Sequence, residues 1–456
     1  MADTETTPLL PSPPPVSPLN KKSSRISFFL TLTILFLIQT GSAIALPATT
    51  ALLEDIICQN HYARQNVLGV DPKCKTEPVQ GSLAMMRGLL NFLLLLPGLV
   101  LGVPYAALAE KWGLKRMILF CLAGIFLAEF WLDLVCWMGG AWPVEVAYLA
   151  PVFYLLGGGP SVGGSLLFVL VADEAEERDR PTRFFLMEAA GYLGTMIGFI
   201  APGFITFRSP RTAMVIGLAM IFASFVLVVL VPVQHEPKAE LVPDGDTEPT
   251  LSTVRKAMVL LKGQGSPVLL LVGSLLRALA DSVMSILLPY ATKLFSWTYP
   301  HAGYLESLSS CVHLAVLLLL PALHRLLSQG EVPISKHLAL ARISSVLSAL
   351  GSAGMGLSQH PGPFTMSLVV YGLGGGYNQS IRSILTLSTP EEHRAITYTL
   401  LGILDSVGVL IGAPLWPVLY RVGLGLQGVW VGLPFLTTAA VLVGVWCLCV
   451  KPRACS

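Results

Sequence analysis

Long apolar stretches separated by short polar segments make up most of this chain. A helix needs about 20 apolar residues to cross the hydrocarbon core of a bilayer. Twelve stretches of suitable length lie at residues 26–48, 83–106, 115–138, 146–171, 183–206, 211–233, 267–292, 303–323, 337–358, 364–387, 395–420 and 428–450. The pattern predicts an all-α membrane protein with twelve transmembrane helices.

A glycine-rich pattern in the first half returns in the second half. One copy begins at Tyr154 with the letters YLLGGG and the other at Tyr371 with YGLGGG. The aligned positions are Gly157, Gly158, Gly159, Gly194, Gly198 and Pro202 in the first copy, and Gly374, Gly375, Gly376, Gly408, Gly412 and Pro414 in the second. Weak internal symmetry is typical of transporters with a central site between similar halves. We therefore predict two pseudo-symmetric six-helix bundles.

Polar segments divide the chain into predicted domains. Residues 1–24 are rich in Pro, Ser and Thr and are predicted to form a disordered tail. The remaining predicted parts are an N-terminal bundle at 25–233, a central loop at 234–266, a C-terminal bundle at 267–450 and a tail at 451–456. Lys and Arg are concentrated in the segments that share one side with the termini, which predicts cytoplasmic termini. A cleaved signal peptide at the first apolar stretch is the alternative.

Composition narrows the class of protein. Hydrophobic residues make up 54% of the chain and charged residues 12%, too few charges for a soluble protein of this length. The formal net charge of +2 gives no reason to expect nucleic acid binding. The polar segments contain neither a phosphate-binding loop nor a metal-spaced His/Cys cluster. We expect no metal, no cofactor and no enzymatic activity.

Two cysteines lie in the same predicted outer loop. Cys58 and Cys74 both fall between residues 51 and 82. A disulfide between them would hold together a loop that has no core of its own. Free thiols are the alternative.

Ionisable residues inside predicted spans are costly and are therefore candidates for function. They are Glu129, Asp133, Glu188, Arg277, Asp281, Arg382 and Asp405, together with Arg87 and Glu306 near outer span ends, where side chains can reach water instead. We expect the substrate and proton pathway to consist of Glu129, Asp133, Glu188, Arg277, Asp281, Arg382 and Asp405, without Arg87 and Glu306.

The spacing of these residues suggests pairs. Arg277 and Asp281 are four residues apart and can neutralise each other on one helix face. They are our first candidates, and a purely structural ion pair is the alternative. Glu129 and Asp133 have the same spacing, and two carboxylates that close together bind a proton more readily. A structural role for them is equally open.

The remaining candidates are assigned individually. We expect Arg382 to contact substrate or a counter-ion, with Asp405 as its partner. Glu188 lies one turn inside the fifth span, where it can reach cytoplasmic water.

The segment between the second and third spans resembles a known signature. Its letters, AALAEKWGLKR from Ala106 to Arg116, resemble the loop of the major facilitator superfamily, G-x-x-x-D-R-x-G-R-R, with several substitutions. The resemblance implies cytoplasmic gate contacts at Glu110, Lys111, Gly113, Lys115 and Arg116, with Asp173 as an ionic partner. Ordinary basic flanking of a membrane helix is the alternative. The strings LEDIIC after the first span and LPYATKLFSW after the seventh resemble fungal members.

Small residues in the fourth span resemble part of the family's antiporter signature. Gly159, Pro160, Gly163 and Gly164 supply the letters G-P-x-x-G-G, although the signature belongs on the fifth span. We expect them, with the aligned glycines and prolines of the repeat, to allow close helix packing.

These observations predict a secondary transporter of a small organic solute that works by alternating access. Its expected partners are the lipid bilayer, a small-molecule substrate and protons, and we expect a monomer in the plasma membrane driven by a proton gradient. A cavity with few charges favours efflux of an amphipathic metabolite or drug. Uptake of a nutrient, or a receptor or scaffold that does not transport, are the alternatives.

Overall fold

A computed structural model describes residues 18–62, 72–139, 141–175, 179–204, 209–231, 265–327, 334–388 and 391–450. The predicted C-terminal tail and most of the predicted N-terminal tail and central loop lie outside these residues. Within them the secondary structure is helical, without strands. This confirms the all-α class.

The described residues of the first half form seven α-helices. They are α1 Pro18–His61, α2 Glu77–Trp112, α3 Leu114–Met138, α4 Ala150–Phe153, α5 Gly159–Glu174, α6 Arg180–Phe204 and α7 Pro210–Leu230. Short 3-10 helices at Pro72–Lys75 and Val144–Leu149 precede α2 and α4.

The second half contains eight described α-helices. They are α8 Gly265–Asp281, α9 Leu287–Phe295, α10 Tyr299–Leu327, α11 Ile334–Leu357, α12 Pro361–Leu373, α13 Tyr377–Ser388, α14 Glu391–Leu426 and α15 Leu433–Val450. The 3-10 helix Ser282–Ile286 joins α8 to α9, Gly374–Gly376 joins α12 to α13, and Gly428–Gly432 precedes α15.

The described residues form ten helices that are long and apolar enough to cross a membrane. The other two predicted spans, the fourth and the tenth, are each broken at the triple glycine of the repeat. Residues 157–159 have φ values of 112°, 86° and 70°, which glycine adopts without steric cost. Gly374–Gly376 instead forms the 3-10 turn between α12 and α13. Breaks at matching positions in two halves point to a binding site between them.

The aligned glycines of the repeat make matching helix contacts. A Cβ added at Gly198 in α6 would lie 2.6 Å from the Thr40 carbonyl oxygen in α1. A Cβ added at Gly408 in α14 would lie 2.5 Å from the Leu275 carbonyl oxygen in α8. Any larger residue at these two positions would clash with the neighbouring backbone. The contact of α6 with α1 therefore matches the contact of α14 with α8. The two halves therefore repeat the same internal packing.

Among the described residues, the most extensive contacts between the halves are those of α2 with α14 and of α6 with α10. A Cβ at Gly88 in α2 would lie 2.7 Å from the Ala413 carbonyl oxygen in α14. Gly203 in α6 packs directly against the Tyr304 ring in α10. The backbones of α2 and α14 thus come close to contact at Gly88, whereas at Gly203 the Tyr304 side chain lies between α6 and α10.

A network of polar contacts joins the halves at one end of the bundle. Cys58, near the end of α1, forms a disulfide with Cys74. Next to it, the Lys75 ammonium lies 2.8 Å from Glu54 Oε2. Two residues of the second half reach this segment, because the Tyr299 hydroxyl donates to Glu54 and the Lys293 ammonium donates to the Lys75 carbonyl oxygen. We call Glu54, Lys75, Lys293 and Tyr299 the clasp, and this end of the molecule the disulfide face.

Candidate functional site

A cavity of about 360 Å³ lies between the two halves. Asn91, Tyr154 and Ser161 of the first half face Ser282 and Ser285 of the second half across it. A second cavity of about 300 Å³ lies within the first half and shares Asn91 and Leu94 with the central one. The two cavities are therefore adjacent, at the position where alternating access requires a binding site.

A hydrogen-bonded cluster lies in the second half, and its Asp281 directly precedes Ser282, which lines the central cavity. Arg277 Nε donates to Asp281 Oδ2 over 2.9 Å, and Arg277 Nη1 donates to Ser348 Oγ over 2.8 Å. The Tyr371 hydroxyl donates to Asp281 Oδ1 over 2.7 Å. The Arg277 side chain is only 2% exposed, whereas the Asp281 side chain is 35% exposed. The arginine is therefore locked in the bundle while the carboxylate keeps an accessible side.

The broken tenth span supplies the aromatic part of this cluster. The Arg277 guanidinium lies 5.8 Å from the ring centroids of both Tyr371 and Tyr377. These tyrosines flank the Gly374–Gly376 turn, so the break brings both rings to one cation. The sequence predicted the charged pair but missed Ser348 and the two tyrosines. A usable signal existed for Tyr371, since it is the first residue of the second repeat copy.

Arg382 does not form an ion pair with its predicted partner Asp405 in this structure. Arg382 in α13 instead pairs across the halves with Glu188 in α6, at 3.9 Å between Nη1 and Oε1. The side chains of this pair are 53% and 37% exposed, so the arginine extends away from its own bundle. Asp405 in α14 is within electrostatic range of Arg382 and Asp281 without forming an ion pair.

An aromatic contact also spans the halves. The Tyr192 ring in α6 stacks on the His313 ring in α10, with centroids 5.7 Å apart and an interplanar angle of 13°. The charges of Glu188, Asp281 and Arg382 all lie within electrostatic range of the Tyr192 hydroxyl. Tyr192 therefore sits among the predicted pathway residues, although its sequence context did not single it out.

The carboxylates of α3 occupy different environments. Glu129 lines the first-half cavity. Asp133, one turn further, is 6% exposed, and its Oδ1 has no hydrogen-bond partner among the described residues. Of these two α3 carboxylates, only Glu129 therefore lines a cavity in which a solute could bind it.

Arg87 does not extend to water as its sequence position suggested. Its side chain lines the first-half cavity, and its Nη1 is enclosed by protein without an acceptor in the described structure. The reason is the length of α2, which begins at Glu77 and places Arg87 about 15 Å inside the helix. Glu306 in α10 lies within electrostatic range of this guanidinium.

The loop between α2 and α3 makes contacts other than those implied by the resemblance. Lys115 Nζ donates to the carbonyl oxygens of Val229 and Val231 over 2.7 and 2.8 Å, which satisfies the end of α7. Gly113 has a φ of 94° and separates α2 from α3. The other predicted gate residues, Glu110, Lys111, Arg116 and Asp173, form no ion pair with a described residue. Their role in gating stays a prediction.

The predicted packing residues of the broken fourth span differ in their surroundings. Pro160 lines the central cavity, and a Cβ at Gly163 would lie 3.3 Å from the Cys121 Cβ. A Cβ at Gly164 would meet no atom within 4 Å, so close packing does not require glycine there. Pro202 and Pro414 lie inside α6 and α14, in line with their alignment in the repeat.

A duplicated helical bundle with an ionisable cluster beside a central cavity defines a multi-pass membrane transporter. The sequence profile of the Major Facilitator Superfamily matches residues 31–335. The chain belongs to this superfamily.

Fungal members of the superfamily are similar to this chain over most of its length. "MFS efflux pump atnC" of Emericella nidulans is 26% identical over 469 residues, with 97% of this chain and 92% of that protein covered. "Efflux pump ustT" of Aspergillus flavus is 28% identical over 431 residues, with 88% and 83% covered.

Solved structures show the same fold at low sequence identity. The nucleoside transporter NupG superimposes with a TM-score of 0.65 at 14% identity and covers 92% of this chain and 100% of its own. The xylose transporter XylE from E. coli also has a TM-score of 0.65 at 14% identity, with 94% and 98% covered. These likenesses concern the fold alone.

Proposed function

We propose that the protein is a proton-coupled secondary transporter that exports a small amphipathic metabolite by alternating access. The observation that carries the proposal is the Asp281 carboxylate, which is held by Arg277 and Tyr371, stays partly exposed and directly precedes Ser282 of the central cavity. Both fungal relatives are named efflux pumps, which supports the proposed direction of transport.

Proton binding at Asp281 is the proposed coupling event. A proton on this carboxylate removes the charge that Arg277 Nε and the Tyr371 hydroxyl now stabilise. Arg277 then has no negatively charged partner, and its remaining neighbours are the Ser348 hydroxyl and the rings of Tyr371 and Tyr377. Because the guanidinium is buried, this change favours rearrangement of α8 against α11 and α12.

The contacts between the halves indicate which end is closed. At the disulfide face the clasp and the packing of Gly88 on α14 bring the halves together. At the other end, the described cross-half ion pair is the long, partly exposed contact between Arg382 and Glu188. With the termini in the cytoplasm, as the basic residues predict, this state would accept cargo from the cytoplasm. We place the protein in the plasma membrane.

The cavity favours an amphipathic cargo. Its walls combine apolar side chains such as Leu94 and Leu95 with the polar groups of Asn91, Ser282 and Ser285. A mostly apolar cavity with a few placed polar groups binds solutes that have both kinds of surface.

Cargo is identified first, by comparing the metabolites retained in cells that lack the protein with those retained in complemented cells. Flux of the retained compound is then measured in proteoliposomes with an imposed pH gradient. Asp281→Asn should abolish proton-driven flux and preserve exchange of cargo between the two sides without a gradient. Glu145→Gln, at an exposed carboxylate outside the passage, should transport like the wild type.

Three results would contradict the proposal. Proton-driven flux that survives in Asp281→Asn would remove this residue from coupling. Cargo movement in the same direction as protons would indicate uptake, and absence of flux for every retained compound would favour a receptor or scaffold.

A further inference from the structure

The first-half cavity contains two opposite charges. It is lined by residues of α1, α2, α3 and α6, among them Arg87 from α2 and Glu129 from α3. Most of its remaining wall is apolar, including Leu90, Leu132 and Phe199. A solute there would meet one cation, one carboxylate and an apolar surface.

Arg87 and Glu129 do not form an ion pair with each other. The ion pairs between described residues involve Lys75, Arg277 and Arg382, not Arg87. The Arg87 Nη1 has no hydrogen-bond acceptor among the described protein groups. Glu306 acts on Arg87 only from beyond ion-pair distance and is not part of the cavity wall. A charge without a close partner in a low-dielectric setting is costly, so a ligand that supplies partners is favoured.

We propose that this cavity is the recognition site for a zwitterionic cargo, an amino acid or amino-acid-derived metabolite with an apolar side chain. The carboxylate would bind the Arg87 guanidinium, the ammonium would bind Glu129, and the side chain would pack on Leu90, Leu132 and Phe199. The inference rests on the proposed function and narrows its substrate class.

Other cargo classes fit the charges less well. An organic anion leaves Glu129 without a counter-charge and adds a repulsion. An organic cation does the same for Arg87. A neutral solute such as a sugar provides neither counter-charge, whereas a zwitterion provides both and adds no net charge to the bilayer interior.

The first-half cavity adjoins the central cavity. Asn91 and Leu94 line it and also line the central cavity, where Ser282 and Ser285 of the second half lie. A cargo bound at Arg87 and Glu129 would therefore lie next to the cavity that both halves line.

Four matched probes test the inference without the natural cargo. They are phenylalanine, N-acetylphenylalanine, phenylalaninamide and N-acetylphenylalaninamide, which share one ring and differ only in which charges they carry. Equilibrium binding is measured with the full-length protein in lipid nanodiscs. The wild type should bind phenylalanine about tenfold more tightly than either singly charged probe, since each charge contributes a charge-assisted hydrogen bond.

Two substitutions separate the contributions of the charges. Arg87→Gln should bind phenylalanine and phenylalaninamide equally, because the carboxylate has lost its partner. Glu129→Gln should bind phenylalanine and N-acetylphenylalanine equally. Arg87→Lys keeps the charge and should retain a reduced preference for the carboxylate, which distinguishes a lost contact from a misfolded protein.

A groove near the disulfide face supplies matched controls. It has a volume of about 570 Å³ and also contains one arginine and one glutamate, Arg421 and Glu145. Arg421→Gln and Glu145→Gln should leave the preference for phenylalanine unchanged. Loss of the preference in these variants instead would overturn the assignment to the first-half cavity.

Equal affinity of the wild type for all four probes, or no measurable affinity for phenylalanine, would also overturn the inference. These results would not affect the proposed function if export coupled through Asp281 is observed. Failure of coupling together with the expected binding pattern would overturn the proposed function alone.

Discussion

The Tyr371 hydroxyl donates a 2.7 Å hydrogen bond to Asp281 Oδ1, across 90 residues of sequence. Tyr371 ends the α12 side of a broken span, and its counterpart in the first repeat copy, Tyr154, lines the central cavity. The repeat therefore places a tyrosine near the break of a span in each half. In the second half it meets a carboxylate that is also bound by an arginine, which makes the halves chemically different.

Tyr371→Phe should weaken coupling. The substitution keeps the ring against Arg277 and removes the hydroxyl that binds Asp281. A hydrogen bond to a charged group contributes about 1.5–3 kcal/mol, so proton-driven flux should fall about tenfold or more. Flux and exchange in proteoliposomes measure this effect. An equal loss of both activities would show a general defect rather than a coupling defect.

Arg277→Gln should strongly destabilise the protein. Removing one member of a buried pair leaves the other without compensation and typically costs about 3–5 kcal/mol. The combined variant Arg277→Gln with Asp281→Asn should recover part of the loss, because neither charge remains. Thermal unfolding in detergent compares the single and combined variants. Additive losses would argue against the pair as a unit.

Gly198→Ala should lower stability, whereas Gly164→Ala should not. A Cβ at Gly198 would lie 2.6 Å from the Thr40 carbonyl oxygen, and one at Gly164 would meet no atom within 4 Å. Overpacking costs about 1–3 kcal/mol, while alanine is about 1 kcal/mol better than glycine in a helix interior. Thermal unfolding of both variants checks the difference. Equal behaviour would contradict the packing of α6 on α1.

Loss of the disulfide should loosen the disulfide face. Cys58 and Cys74 hold the segment whose Lys75 bonds to both halves. Replacing both cysteines by serine should lower stability by about 2–4 kcal/mol and expose clasp residues more often. Labelling of a cysteine placed at Leu294, next to the clasp residue Lys293, reports exposure, with the Gly164→Cys variant as a control away from the clasp.

The disulfide also tests the membrane orientation. With cytoplasmic termini, a reductant that does not cross membranes should reduce this bond in intact cells. Reduction only after the cells are permeabilised would place the disulfide face on the cytoplasmic side.

The sequence by itself determined the elements and their duplication. Backbone groups in lipid must bond within their own helix, so long apolar stretches specify helices without reference to distant residues. The two triple glycines could be read directly from the sequence. The breaks that they allow in the fourth and tenth spans appear only in the structure. Arg277 and Asp281 were also predictable as a pair, since four residues bring two side chains together on any helix.

Only the tertiary structure decided which distant groups meet. Arg382 pairs with Glu188 of the other half rather than with Asp405, and Tyr371 reaches Asp281 through a break in its own span. Arg87 is enclosed in the bundle instead of extending to water. These contacts depend on the rotation and separation of helices far apart in the chain. Helix periodicity fixes the relative positions of side chains on one helix, but not which neighbour each helix face packs against.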